Sequence, residues 1–369
     1  MSHVMPHMTY LEAAAVGLIQ GVTELFPVSS LGHNVLIPAL MGGSWATDLN
    51  VASPESPYLA FIVGLHVATA IALMIYFWRD WVRIIGGFFS SIRDREIRTV
   101  NQKMAWMIIW ATVPVGLVGL LFEHEFRVLF GKPVRAAIFL LINGLILFAG
   151  ERFRTRKSLA ADAEAAAEAD LAEGRVVPER TTSTIMASNA TTPRAGASAT
   201  PGAAAPGAPP PRATVPGTAM HASGQRAVKQ LEAARGVRAD TRLVKIGYWQ
   251  GLIIGSAQVL ALLAGISRDG VAMVAGMFRG LSRQDAARFS FLLATPVIFA
   301  AGVLKIGDLT GPLGNGIHGQ VLVGSILSGV GAYLSVRFLM KYFMTRTLTP
   351  FAIYCVVAGL GSIIYLSVK

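Results

Sequence analysis

Apolar residues in this chain lie in blocks of about 17–25, the length that crosses a bilayer as a helix. Six blocks are long enough to span, at approximately 58–78, 104–122, 134–150, 287–304, 319–341 and 350–367. Two further stretches, about 10–41 and 244–279, are apolar but interrupted. The first break is Pro27-Val28-Ser29-Ser30, and the second is Ala264-Gly265-Ile266-Ser267-Arg268-Asp269-Gly270. Each stretch reads either as one kinked span or as two half-helices that enter and leave on one side. Non-helical backbone at membrane depth persists only where protein or a watery cavity covers it, so a polar break bearing an ionisable residue favours the half-helices.

Between these halves the pattern stops. From about Ser158 to Asp240 the chain is rich in Ala, Pro, Gly, Ser and Thr and lacks the bulky apolar side chains that would offset its chain entropy. Leu159 to Glu173 is predicted as an exposed helix and the rest as a disordered linker without chemistry. The predicted organisation is a first membrane repeat over 1–157, a linker over 158–243 and a second membrane repeat over 244–369. The halves resemble each other: Gly17-Leu18-Ile19-Gln20-Gly21 opens one interrupted stretch and Gly251-Leu252-Ile253-Ile254-Gly255 the other. Glu24 and Gln258 follow seven residues after the first glycine of each, and each break ends in a serine, Ser30 and Ser267. One hairpin plus three spans makes an odd number of crossings, so the second half starts on the opposite face. The predicted fold is therefore an all-α polytopic membrane protein, two inverted repeats each of one re-entrant hairpin plus three transmembrane helices.

Composition agrees: 53% of the residues are hydrophobic and only 14% charged, where soluble domains carry roughly a quarter. The sole cysteine, Cys355, lies in an apolar block, which excludes a disulfide scaffold. No Lys or Arg precedes Arg79, so the basic start of a secretory signal is lacking. The net charge of +11 is explained by topology rather than by nucleic acid. With the amino terminus on one side, the segments 79–103, 279–288 and 337–349 fall on the other and hold 12 Lys/Arg, against 5 on the first side. That excess marks the basic side, and with it the linker, as cytoplasmic and the termini as outside. The lipid bilayer is the expected partner, and a homodimer is allowed.

Of 21 acidic residues only Glu24 and Asp269 lie well inside apolar segments, and of 32 basic residues only Arg268. Charge there is costly and marks a functional site with a partner. Gln20 and Glu24 share one helix face, and Pro27 ends that helix. Ser29 or Ser30 is placed to cap the next half-helix, with its N–H groups toward an anion; Gly265 and Ser267 are placed to do the same in the second break. Arg268 adds a guanidinium suited to phosphate, and Glu24, Ser30 and His33 supply a base, a nucleophile and a proton donor. Plainer readings stand beside these. Glu24 and Arg268 can merely pair, Ser30 can cap, His33 can be a structural donor, and Gln20 and Gln258 can bond across helices. Asp269 fits a cap, a metal ligand or a mouth residue. His66, alone in the first full span, reads as a packed core histidine.

The stretch from Gln20 to His33 (QGVTELFPVSSLGH) closely resembles the first signature of the undecaprenyl-diphosphate phosphatases of the bacitracin-resistance type, in which Glu or Gln and then Glu precede Pro-Val-Ser-Ser-x-Gly-His. Gly265 to Gly270 (GISRDG) resembles the second signature, Pro-Gly-x-Ser-Arg-Ser-Gly, and 289–296 and 350–354 match further segments. The resemblance implies a phosphatase that hydrolyses undecaprenyl diphosphate to undecaprenyl phosphate, the recycled lipid carrier of cell-wall synthesis, in the bacterial cytoplasmic membrane. It implies Glu24 as essential acid, Ser30 as candidate nucleophile, His33 in proton transfer and Arg268 as phosphate clamp. The residues themselves place Gln20, Ser29, Ser267 and Gly265 at the substrate, and the resemblance implies a divalent cation, Mg2+ or Ca2+, for which Glu24 and Asp269 are the candidate ligands. Two positions depart from the signature, Asp269 for Ser and Ala264 for Pro. A polyprenyl-phosphate transporter or flippase is the alternative that the same charges allow.

Overall fold

The structure is a computed structural model that describes residues 8–49, 57–130, 132–172, 236–304 and 316–368, together with 307, 309 and 311. Among the described residues there is no strand; the helices are α1 (Tyr10–Thr23), α2 (Ser30–Met41), α3 (Gly43–Asp48), α4 (Pro57–Tyr76), α5 (Trp78–Asp94), α6 (Val100–Phe130), α7 (Pro133–Arg152), α8 (Arg156–Ala172), α9 (Tyr248–Ala257), α10 (Arg268–Phe278), α11 (Arg283–Leu304), α12 (His318–Tyr342) and α13 (Thr349–Val368). Residues 236–245 are also helical, and a 3₁₀ turn over Gln258–Leu262 extends α9.

Helix length separates two kinds of element. Part of α6, Val100–Phe122, and the whole of α7, α11, α12 and α13 are long and apolar enough to cross a membrane, and α4 with α5 forms a sixth apolar segment bent by 86°. The five agree with predicted spans to within a few residues, and α4 alone, without α5, matches the predicted span 58–78. The interrupted stretches resolve into pairs of short helices. α1 has 14 residues, α2 12, α9 10 and α10 11. At 1.5 Å per residue each is about 15–21 Å long, well short of the roughly 30 Å hydrocarbon layer.

The helix ends follow local chemistry. Thr9 and Glu12 form a reciprocal capping box that starts α1. Pro27 lacks the N–H that would continue it, and Ser29 sits at φ 69°, a left-handed conformation that a non-glycine residue adopts only under constraint. Ser29 Oγ then caps α2 by accepting from the Gly32 N–H. In the second break Gly265 has φ 114°, open only to glycine, and Ser267 Oγ caps α10 through the Gly270 N–H.

α5 was read from sequence as part of a cytoplasmic connection; it is instead a 17-residue helix turned sharply from α4. Trp78, Val82, Ile85, Phe89 and Ile92 form an exposed apolar stripe at alternating spacings of four and three, while Ile84, Gly87 and Ser91 are buried on its other side. An exposed stripe of this kind on a helix set across a span suits the membrane interface.

The chain divides into one compact unit, Met1–Ala166 with Arg238–Lys369, and a second, Ala167–Val237. Most of the predicted low-complexity linker, residues 173–235, lies outside the described residues. Its predicted exposed helix exists as α8, but the start of α8 is docked rather than free. Ser158 is fully buried, its hydroxyl donates to the Leu281 carbonyl at 2.7 Å, and Asp162 pairs with Arg154 and Arg283. The far end is docked as well: Asp240, placed in the linker by composition, is fully buried against Arg288 and Arg83.

Candidate active site

The two breaks meet. Ser29 Oγ, besides capping α2, accepts from the Gly265 N–H at 3.2 Å. Asn143, fully buried on α7, holds both breaks: its amide donates to the Pro27 carbonyl at 2.9 Å and accepts from the Ser267 N–H at 3.0 Å. A Cβ on Gly32 would run into Gly265 Cα, so the two amino-terminal ends lie backbone to backbone. Gly265, Ser29 and Ser267 therefore build the crossing itself.

Glu24, at the end of α1, is the hub. Its Oε2 accepts from Gln20 Nε2 at 2.8 Å and from Ser30 Oγ in a short hydrogen bond, and its Oε1 accepts from Arg268 Nη2 at 2.5 Å. The carboxylate is buried and yet satisfied, because three donors and one full positive charge converge on it. Glu24 and Arg268 do pair, as the plainer reading held. The pair nonetheless includes the Ser30 hydroxyl, and Arg268 Nε is a buried donor with no hydrogen-bond partner among the described residues. A phosphate oxygen is the acceptor such a donor lacks.

His33 is buried one turn into α2. Its Nδ1 donates to the Ser29 carbonyl at 2.7 Å, and its Nε2 lies 2.7 Å from the Tyr354 hydroxyl of α13. It makes no hydrogen bond to Ser30 or Glu24, although it stands three residues after Ser30 on α2. Gln20 is fully buried and oriented by Asn34 Nδ2, which donates to its Oε1 at 2.6 Å. Gln258, the position that matches Glu24 in the internal repeat, is buried with neither amide atom bonded among the described residues.

His66 corrects the sequence reading. Rather than packing in an apolar core, its Nε2 lies 3.5 Å from Glu24 Oε2 and 3.3 Å from Gln20 Nε2. Tyr354 and Asn143 were likewise unassigned, although Tyr354 sits in a segment matching the family.

Asp269 is fully buried and turned toward α11, where Ser290 Oγ donates to its Oδ1 at 2.6 Å; Oδ2 has no partner among the described residues. Glu24 and Asp269 do not fit a resident divalent ion. Glu24 is committed to three donors, Asp269 faces Ser290, and among the described residues no cluster of three or more His, Cys, Asp or Glu side chains is placed to hold a metal.

A polytopic helical protein with a buried hydroxyl–carboxylate–guanidinium site is the class this geometry defines. The chain belongs to the family described as bacitracin resistance protein BacA, which matches residues 13–174 and 214–361. It is 52% identical over 363 residues to an undecaprenyl-diphosphatase of Mycolicibacterium paratuberculosis, covering 98% of this chain and 99% of that protein. It is 51% identical to undecaprenyl-diphosphatase 2 of Frankia alni, covering 96% and 97%. It is 33% identical to undecaprenyl-diphosphatase 2 of Burkholderia orbicola, covering 93% and 92%.

Proposed function

We propose that this chain is a multi-pass membrane undecaprenyl-diphosphatase, hydrolysing undecaprenyl diphosphate to undecaprenyl phosphate and phosphate. The observation that carries the reading is the buried contact of Ser30 with Glu24, itself bound to an arginine with an unused donor. In the proposed reaction Arg268 exchanges Glu24 for the diphosphate. Ser30 Oγ gives its proton to Glu24 and bonds to the terminal phosphorus, while the bond from that phosphorus to the bridging oxygen breaks. Undecaprenyl phosphate leaves as an anion and needs no proton. Water then hydrolyses the seryl phosphate, and His33 with Tyr354 serves the proton traffic at the departing phosphate. Positioning and charge stabilisation supply most of the rate in such a transfer. Dependence on Mg2+ or Ca2+ is proposed as a property of the diphosphate, which brings its counter-ion with it, and no step is assigned to the metal.

The same reading takes the halves as inverted repeats. Its support is an exchange of partners: α1 packs on α12 and its counterpart α9 on α6, while α4 pairs with its counterpart α11 and α7 with α13. The Lys/Arg excess supports termini outside and a cytoplasmic linker. That exchange is also what a polyprenyl-phosphate carrier would show, but a carrier has no use for a serine bonded to a carboxylate.

The test is phosphate release from undecaprenyl diphosphate by purified protein in detergent with Mg2+ or Ca2+. Wild type releases phosphate, and Ser30→Ala and Arg268→Ala each lose at least about a thousandfold, the scale of a deleted nucleophile or oxyanion clamp. A folded wild type that binds the lipid and releases nothing would hand the site to the carrier reading.

A further inference from the structure

Glu24 takes a proton from Ser30 in the reaction proposed above, and its surroundings decide where that proton goes next. Among the described residues, four side chains touch its carboxylate: Gln20, Ser30, Arg268 and His66. An amide is no proton acceptor, an arginine stays protonated, and the serine is the source. His66 alone is able to receive it.

The geometry of His66 fixes its form. Nδ1 lies 2.8 Å from the Ile62 carbonyl oxygen, which can only accept, so Nδ1 carries a hydrogen. In the neutral ring Nε2 is then a bare lone pair. Gln20 holds that lone pair in place: Asn34 donates to the Gln20 carbonyl oxygen, leaving the two amide hydrogens for Glu24 Oε2 and His66 Nε2. Nε2 also lies 3.5 Å from Glu24 Oε2, the oxygen bonded to Ser30, so a proton on that oxygen is within its reach as the Gln20 amide hydrogen gives way. The Glu24 side chain is 4% exposed and that of His66 27%, so the histidine lies nearer the protein surface than the buried carboxylate.

We propose that His66 is a positioning and proton-accepting residue behind Glu24, in the order Ser30, Glu24, His66. The inference rests on the phosphatase reading. As Ser30 Oγ bonds to phosphorus, its proton moves to Glu24 Oε2 and on to His66 Nε2. This leaves an imidazolium between the Ile62 carbonyl and the restored Glu24 carboxylate. When water cleaves the seryl phosphate, one water proton restores the Ser30 hydroxyl and the imidazolium returns its own to solvent. Over the cycle His66 neither gains nor loses a proton. His66 thus bears on the base, while His33 pairs with Tyr354.

Steady-state phosphate release from undecaprenyl diphosphate tests this with four proteins: wild type, His66→Gln, His66→Ala and Ser30→Ala. Glutamine keeps a partner for Gln20 but accepts no proton. The expected result is a kcat reduced about a hundredfold in His66→Gln, in the range contributed by a positioned proton acceptor, with KM within about twofold of wild type. Added imidazole should restore His66→Ala at least tenfold and leave Ser30→Ala unchanged. A His66→Gln enzyme within twofold of wild-type kcat, or a His66→Ala enzyme slowed but deaf to imidazole, would overturn the relay and leave the phosphatase reading intact. Full activity in Ser30→Ala, or no release by wild type, would overturn both.

Discussion

A buried carboxylate with one oxygen on an arginine and the other on a serine is an expensive arrangement unless both oxygens are answered, and around Glu24 both are. Asp269 shows the contrast. At an effective dielectric of about 20, a carboxylate about 4 Å from a phosphate charge would cost about 4 kcal/mol, near three decades in binding. In the structure Asp269 Oδ1 accepts from Ser290, while Oδ2 has no partner among the described residues. Asp269→Asn is expected to change KM for undecaprenyl diphosphate by less than about tenfold, because Oδ1 is held on Ser290; a KM lowered a hundredfold or more would show that the carboxylate acts on the bound phosphates. The departure from the family pattern at 269 was legible in the sequence; the direction of its side chain was not, because Ser290 lies on another helix. The same holds for His66. A lone histidine in an apolar block carries no local sign of its partner, and Glu24 is more than forty residues away. Glu24, Ser30 and Arg268 were legible because charge and hydroxyls at membrane depth stand out against apolar neighbours.

At the scale of elements, the internal repeat in the sequence has a packing cause. Gly17 and Gly21 lie where α1 crosses Gly324 and Ser328 of α12, and Gly251 and Gly255 lie where α9 crosses Met107 and Ala111 of α6. A Cβ on Gly21 would overlap the Ser328 carbonyl oxygen, and one on Gly255 the Ala111 carbonyl oxygen. Small residues four apart let helix backbones touch within a membrane protein, and here they seat the first half of each hairpin. Gly255→Ala should thus force α9 off α6 at about 1–3 kcal/mol, the usual cost of overpacking. A melting temperature in detergent lower by several degrees would confirm it, and an unchanged one would mean that α9 shifts freely. By contrast Gly116, with nothing near its would-be Cβ, should accept alanine without loss. The spans were legible from apolar run length alone. α5 was missed because a search for continuous apolar runs passes over a stripe of period 3.6, although Trp78, Val82, Ile85, Phe89 and Ile92 carry that period plainly.

Across the whole molecule, the break between the halves is not a loose tether at its ends. α11 begins with Arg283, Asp285 and Arg288, and these three bind both shores of the linker. Arg283 takes Asp162 of α8 and Glu151 of α7; Arg242 from 236–245 takes Asp285; Arg288 takes Asp240 and Asp80. Composition hid this, since a few charges at the margin of an Ala/Pro-rich tract look like the tract itself. The pairs differ in what they contribute. Asp240 is fully buried and serves two arginines, Arg288 and Arg83, so its neutralisation leaves Asp80 to balance both. Breaking one member of a buried set costs about 3–5 kcal/mol, and Asp240→Asn is expected to lower the melting temperature markedly while the residual folded enzyme keeps its KM. Replacing 174–234 with a Gly/Ser segment of about 30 residues should behave oppositely. It spares every docked residue named above and should leave phosphate release within about threefold of wild type, with no change in melting. If that replacement destroyed activity in a protein that still folds, the chemistry would have to reach beyond the two breaks; if Asp240→Asn were as stable as wild type, the docked ends would be ornament. Paired, the two measurements separate the length of the excursion from the anchors that hold α11, and α11 is the helix whose Ser290 holds Asp269 Oδ1.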